Sequence, residues 1–222
     1  MKKFLLAAMA FCSITAGAWA QDESKEAIGQ ASEASQSFQL AASLSTYGYA
    51  NKSALPLIQA AQIVKESGMK ETQEKTEDSG TAKQSDQKKG EISLDVTKLL
   101  ADAKKFAAGD KTLLALIDKV NSSATRGSTV GVEYITHNIP ANGYSWITRT
   151  FYANSFCEAA VKGDGDTDLD LYIYDENGNL IARSVSYSDR EYVSWRPSWT
   201  GTFKIKVVNR GNVYNHAVIG HN

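Results

Sequence analysis

The sequence contains little of the chemistry on which most enzymes depend. Its three histidines, His137, His216 and His221, are scattered, and two cysteines occur, Cys12 and Cys157. There is no His-Glu-x-x-His, Gly-x-Ser-x-Gly or Cys-x-x-Cys motif and no glycine-rich phosphate loop. These absences argue against the common zinc, serine-hydrolase, thiol-redox and nucleotide-binding enzymes, and we predict no catalytic residue.

An excess of charge of one sign is also missing. The 24 Lys and Arg residues nearly balance the 25 Asp and Glu residues, which gives a formal net charge of -1. A chain without an overall positive field has no general attraction for phosphate backbones. We therefore expect no nucleic-acid partner.

Residues 1–20 have the pattern of a bacterial signal peptide. Lys2 and Lys3 form a positive start, an apolar run covers residues 4–18, and Ala18-Trp19-Ala20 has the small-x-small form of a cleavage site. The run is too short for a stable membrane span, and no later segment is apolar enough to be one. The pattern predicts a secreted or periplasmic protein.

Removal of this segment would leave Cys157 as the remaining cysteine, so that no intrachain disulfide could form. The fold must then be held by its core or by a metal. Cys157 lies in an apolar strand pattern, which favours a buried small hydrophobic residue over a reactive or intermolecular thiol.

The rest of the chain divides by composition into an α part and a β part. Residues 21–126 are rich in Ala, Lys, Glu, Gln and Leu, and their spacing predicts helices over about 23–45, 53–67, 95–108 and 111–121. Residues 69–92 are almost wholly polar and predict a disordered linker. We expect a small helical bundle, either for core packing or for docking a partner.

Residues 128–222 hold most of the Tyr, Trp, Val and Asn, and their apolar period is two. Eight short strands are predicted, over 130–136, 144–152, 155–162, 169–174, 180–184, 192–195, 202–208 and 213–219. Such spacing indicates an all-β jelly-roll sandwich that is separate from the helical part. Leu169, Leu171 and Ile173 should face its core, and Asn177-Gly178 favours a tight type I′ hairpin.

Several motifs of this β half occur in a familiar order. They are Asp168-Leu169-Asp170-Leu171-Tyr172-Ile173-Tyr174-Asp175, Asn177-Gly178-Asn179-Leu180-Ile181, Trp195-x-Pro197, Thr200-Gly201-Thr202-Phe203 and Asn209-x-Gly211. Residues 130–219 thereby resemble the bacterial pre-peptidase C-terminal domain. The resemblance implies a secreted, non-catalytic jelly roll that aids secretion, maturation or substrate binding beside a peptidase. Related collagenase domains bind calcium and collagen. Residues 21–126 carry no protease signature and resemble no known family.

Asp164, Asp166, Asp168 and Asp170 form the candidate metal site. Their spacing of two places Asp168 and Asp170 on one strand face, and the Gly-Asp-Gly-Asp turn could curl the other two toward them. Hard carboxylate oxygens suit Ca²⁺. The alternative is a polar turn in which the aspartates cap local N–H groups.

Aromatic residues form the second candidate site. Tyr172 and Tyr174 alternate with the core set, so they should lie on the opposite sheet face, where rings can stack on sugars or cover a peptide. They predict a surface for a protein or polysaccharide ligand.

The sequence as a whole predicts an exported, non-catalytic binding or accessory module with a calcium-stabilised sandwich. A secreted, peptidase-like hydrolase with an unrecognised active site and a structural envelope protein stay open as alternatives.

Overall fold

The computed structural model describes residues 29–81, 90–124 and 131–222, and within them the chain forms four helices and ten strands. The helices are α1 (Glu33–Ala50), α2 (Ala54–Ser67), α3 (Val96–Phe106) and α4 (Lys111–Ser122). The strands are β1 (Lys70–Glu71), β2 (Thr76–Thr81), β3 (Glu133–Ile139), β4 (Ala141–Phe151), β5 (Cys157–Gly163), β6 (Leu169–Asp175), β7 (Leu180–Ser184), β8 (Arg190–Trp195), β9 (Gly201–Asn209) and β10 (Asn215–His221). The predicted signal peptide, the boundary between residues 126 and 128 and part of the predicted linker lie outside the described residues.

The strands form two five-stranded sheets. Sheet A has the order β1-β3-β10-β5-β8, and sheet B has the order β2-β4-β9-β6-β7. The pairings are antiparallel apart from the parallel pair of β1 and β3. The predicted β-sandwich is confirmed.

The core of the sandwich lies between the two sheets. Six fully buried side chains come from the central strands of sheet B: Leu169, Leu171, Ile173, Phe203, Ile205 and Val207. Each such side chain contributes about 1.5–3 kcal/mol by leaving water. Because successive strand residues point to opposite faces, the residues between them must lie on the outer face of sheet B.

Helix α1 packs on the outer face of sheet A. The fully buried ring of Phe38 lies against Gly220 of β10, where an added Cβ would come within 2.9 Å of the ring, and its centroid is 6.3 Å from that of Tyr134. Ala160 and Val218 belong to the same buried cluster. The helical and β parts are therefore one packed unit and not the separate parts predicted from composition, because this sheet face is itself apolar.

The helices form a second buried cluster among themselves, and Gly48 shows how closely they approach. The first helix was predicted over about 23–45, but α1 begins at Glu33 and continues through Gly48 to Ala50. An added Cβ on Gly48 would lie 2.5 Å from Cδ2 of Leu57, so the glycine allows α2 to pack directly against α1. No helix within the described residues has both the length and the hydropathy to cross a bilayer.

The helix ends follow their local sequence signals. The carboxylate of Asp95 accepts the N–H of Thr97 at 2.7 Å, and that of Asp110 accepts the N–H of Thr112 at 2.8 Å. Such N-caps each contribute about 1 kcal/mol. Gly68 follows α2 with a left-handed φ of 67°.

Part of the predicted linker is built into the sheets. Residues 70–71 form β1 beside β3, and residues 76–81 form β2 beside β4. An edge strand needs backbone partners on one side only and can stay polar. The low hydropathy of residues 70–81 therefore gave no sign that two strands lie there. Met69 and Ile92, 7% and 1% exposed, fix the flanks of this segment in the core.

The hairpin between β6 and β7 differs from the predicted type I′ turn. Gly178 has a positive φ of 84°, whereas Asn177 does not. The carbonyl of Asp175 accepts the N–H of Gly178 at 3.1 Å, and its carboxylate accepts the N–H of Asn179 at 2.7 Å. The loop is thus a three-residue turn with a left-handed glycine, stabilised by an aspartate.

Candidate functional site

The outer face of sheet B carries polar and aromatic side chains, in contrast to the helix-covered face of sheet A. Residues in register across an antiparallel sheet lie on one face, about 4.5–5.5 Å apart. One such row crosses all five strands and consists of Glu77, Trp146, Lys206, Tyr172 and Arg183. In the adjacent rows, Tyr144 lies beside Val208 and Lys204 lies beside Tyr174.

Four rings on this face form a continuous aromatic patch, which we define as Tyr144, Trp146, Tyr174 and Tyr172. The ring centroids of Tyr144 and Trp146 are 5.8 Å apart, and those of Trp146 and Tyr174 are 5.4 Å apart. Tyr172 and Tyr174 stack at 6.3 Å. All four side chains are half-buried, and three of the rings line an open depression of about 620 Å³. The patch thus offers flat apolar ring surfaces with polar edges to solvent.

Two lysines of β9 lie within the aromatic patch. The Nζ of Lys206 is 4.2 Å from the ring centroid of Tyr144 and 5.0 Å from that of Trp146. The Nζ of Lys204 is 5.8 Å from the centroid of Trp146. Contacts between a cation and a ring are worth about 0.5–1 kcal/mol at an exposed site. They hold the two ammonium groups over the patch.

A buried ion pair supports one end of the patch. Asp170 is 5% exposed, and its Oδ2 accepts hydrogen bonds from Nε of Arg210 at 2.6 Å and from the hydroxyl of Tyr172 at 3.1 Å. The hydrogen bond to Asp170 raises the pKa of the Arg210 guanidinium. Burial, followed by the Asp170 charge, raises the pKa of the Tyr172 phenol. Tyr172 is therefore a neutral hydrogen-bond donor, and its bond to Asp170 fixes the position of its ring.

The four aspartates of the predicted metal site have different protein partners. Asp164 accepts the N–H groups of Asp166 and His216, at 3.2 and 3.0 Å. Asp168 accepts the N–H of Ser188 at 3.0 Å. Asp166 accepts the N–H of Gly90, and Asp170 is bound to Arg210. The contact between Asp164 and the N–H of Asp166 is local, whereas the other contacts join segments that are distant in sequence. Calcium binding by these residues stays a prediction.

A different acidic cluster joins three distant segments at the other end of the sandwich. One possible ligand atom from each of Glu74, Glu133 and His221 lies within 4.8 Å of the others. Nε2 of His221 is 2.9 Å from Oε1 of Glu74, and the guanidinium of Arg149 contacts both carboxylates. Burial opposes ionisation, but the His221 hydrogen bond and the Arg149 charge hold the pKa of Glu74 below its usual range. Because Arg149 already supplies a cation, this cluster acts as an ion-pair network that ties residue 74 to the sheets.

The thiol of Cys157, for which the sequence left a reactive role open, is inaccessible to solvent. Cys157 is 3% exposed, and its thiol donates to the carbonyl of Ser155 at 3.6 Å. Burial raises the pKa of the Cys157 thiol to about 11. The thiol is therefore protonated at neutral pH and has little nucleophilic character.

Two members of the aromatic patch were singled out from sequence, and two were not. The period-2 pattern placed Tyr172 and Tyr174 opposite the core, and the structure agrees. Tyr144 and Trp146 show the same alternation in β4, which signals an outward face. The contact between Trp146 and Tyr174 depends on the strand order β4-β9-β6, which the sequence does not state.

No family model matches the sequence. Among solved structures, the chain is similar to the mitogen derived from Yersinia pseudotuberculosis, with 14% identity, a TM-score of 0.36 and coverage of 41% of this chain and 85% of that chain. It is similar to the pre-peptidase C-terminal domain of a collagenase from Bacillus anthracis, with 12% identity, a TM-score of 0.29 and coverage of 43% and 84%. The lectin domain of lectinolysin, solved with Lewis B antigen, matches with 12% identity, a TM-score of 0.28 and coverage of 40% and 70%. At these values the likeness assigns neither a family nor a ligand.

Proposed function

We propose that this protein is a non-catalytic carbohydrate-binding module that acts outside the cytoplasm and holds a polysaccharide on the outer face of sheet B. The observation that carries the proposal is the aromatic patch, in which four rings contact each other in sequence across β4 and β6. A sugar ring has one apolar face of C–H groups and a polar rim. A patch of amphipathic rings satisfies both, since the ring faces pack and the hydroxyl edges bond.

The support around the patch favours a preformed site. Lys206 lies between Trp146 and Tyr172 in the cross-strand row. The Tyr172 hydroxyl accepts a hydrogen bond from Arg210 and donates one to Asp170. A rigid sheet that needs no rearrangement loses little conformational entropy on binding. The size of the patch, with two rings on each of two strands, suits several consecutive sugars of a chain better than a single sugar.

The cellular location and the domain type in this proposal rest on sequence patterns. Residues 1–20 support export through their positive start, apolar run and Ala18-Trp19-Ala20 site. The ordered motifs from Asp168 to Gly211 support a jelly roll of the pre-peptidase C-terminal type. An accessory module of this kind would keep a partner enzyme close to its polymeric substrate.

The test is affinity electrophoresis of the mature protein, residues 21–222, through gels that contain a panel of plant, algal and bacterial polysaccharides. At least one polymer should retard the protein, and Trp146→Ala should weaken that binding by about tenfold or more, as expected for a central aromatic contact. Trp199→Ala is the matched control, because Trp199 stacks on Phe203 and bonds Glu176 away from the patch.

Three results would contradict the proposal or a part of it. Trp146→Ala could bind as well as the wild type, which would place the ligand elsewhere, or no polymer could retard the protein. Release of new reducing ends during a long incubation would contradict its non-catalytic part and favour a hydrolase.

A further inference from the structure

We infer that the aromatic patch selects sugar chains that carry anionic groups, such as polyuronates or sulfated polysaccharides, over neutral chains of the same backbone. This inference rests on the proposed function and adds the charge of the ligand to it. It starts from Lys204 and Lys206, whose ammonium groups lie among the rings and not outside them.

The two ammonium groups lie on the strand that separates the two pairs of rings. Lys204 and Lys206 are two residues apart on β9 and on the same face, so their Cα atoms are about 6.8 Å apart. In register, Lys206 is flanked by Trp146 and Tyr172, and Lys204 is flanked by Thr148 and Tyr174. Both lysines thus lie on the strand between the rings of β4 and those of β6, so a sugar chain that covers rings on both of these strands crosses β9.

The charge balance of this face leaves both lysines available to a ligand. Among the described residues, neither has a carboxylate within ion-pair distance. The acids on the same face are already engaged or peripheral. Asp170 is bound by Arg210, and Glu77 lies on the edge strand β2, 3.8 Å from Lys75. An anionic group on the ligand would thus meet two cations and no facing free acid.

A nucleic acid also combines negative charge with stacking surfaces, but the face favours it less. The whole chain has a formal net charge of -1, and tight binding of a phosphate backbone depends on many contacts from Lys and Arg. Two ammonium groups suffice for a few anionic sugars, since each exposed ion pair contributes about 0.2–1 kcal/mol.

The test compares polymers that differ only in charge, by calorimetry on the mature protein. Polygalacturonate is compared with its methyl ester, and dextran sulfate with dextran, so the two pairs also separate carboxylate from sulfate. The charged member of at least one pair should bind about tenfold tighter, and added salt should reduce this advantage.

Lys204→Gln with Lys206→Gln should lower the affinity to that of the neutral polymer. Lys104→Gln with Lys119→Gln is the matched control, because it removes two exposed charges from α3 and α4.

Other results of these binding measurements would contradict the inference, or the inference and the proposed function together. Equal binding of charged and neutral polymers would overturn the inference and leave the proposed function standing, whereas no binding of any polymer would overturn both. The inference would also fail if the control pair lost as much affinity as the β9 pair, or if oligothymidylate bound tighter than every polysaccharide, which would indicate a single-strand nucleic-acid surface.

Discussion

At the scale of single residues, Asp170 is a buried charge that supports the outer face of sheet B. Its side chain is 7% exposed, whereas that of Arg210 is 53% exposed, so the arginine can be removed without opening the core. A buried carboxylate that loses its partner keeps its desolvation cost without compensation. The guanidinium of Arg210 also donates to the hydroxyl of Tyr172 at 3.1 Å, which links this ion pair to the aromatic patch.

We therefore expect Arg210→Gln to destabilise the protein by about 1–3 kcal/mol, measured by urea unfolding. The glycan binding proposed above should weaken as well, because Tyr172 loses a contact that fixes its position. Arg190→Gln is the matched control, since Arg190 is exposed at the start of β8, and it should change stability by about 0.5 kcal/mol or less. Equal effects of the two variants would show that the ion pair between Asp170 and Arg210 does not contribute to the free energy of unfolding.

At the scale of elements, α3 is tied to α1 through Asp102. Its carboxylate accepts hydrogen bonds from Lys98 at 2.9 Å, Lys105 at 2.6 Å and the hydroxyl of Tyr49 at 3.1 Å. Partial burial opposes ionisation, but these lysines prevail and lower the pKa of Asp102 from 3.8 to about 2. The tie between the helices is therefore charged throughout the neutral range.

This depressed pKa predicts how the stability of the helical layer changes with pH. Above pH 3.8 Asp102 is ionised in both states, and its contribution of about 1 kcal/mol is complete. As the pH falls from 3.8 toward 2, the unfolded chain binds the proton first, so the contribution is lost. Urea unfolding should thus show Asp102→Asn less stable than the wild type at neutral pH and nearly equal to it near pH 2. Asp118→Asn, at an exposed site on α4, should show no such convergence. If the difference in the free energy of unfolding between Asp102→Asn and the wild type stayed constant with pH, the lowered pKa of Asp102 would be contradicted.

At the scale of the whole molecule, the parts that local pattern determines were predictable, and the parts that pairing determines were not. The alternation of Leu169, Leu171 and Ile173 fixes a core strand in any sandwich. In contrast, β2 is a strand because β4 lies beside it, and no apolar period marks it. The aromatic patch also depends on strand pairing. Trp146 of β4 contacts Tyr174 of β6 across β9, and this strand order cannot be read from the local pattern of either strand.

The packing of α1 on sheet A makes a final prediction about cooperativity. Phe38 is fully buried between α1 and the sheet, against Gly220 and Tyr134, so Phe38→Ala leaves a cavity in the layer that joins the two parts. Such a change costs about 3–5 kcal/mol. Trp146, Trp195 and Trp199 all lie in the sandwich, so tryptophan fluorescence reports on the sheets while circular dichroism near 222 nm is weighted toward the helices.

In urea, both signals should give one coincident transition in the wild-type mature protein, and Phe38→Ala should move both by the same amount. Leu40→Ala is the matched control, because Leu40 lies two residues further along α1 with 53% of its side chain exposed, and it should shift neither signal by more than about 0.5 kcal/mol. If Phe38→Ala moved the helical signal and left the fluorescence midpoint in place, the helices and the sandwich would unfold independently. The contact between α1 and sheet A would then contribute nothing to the stability of the sheets, and the aromatic patch would persist without the helices.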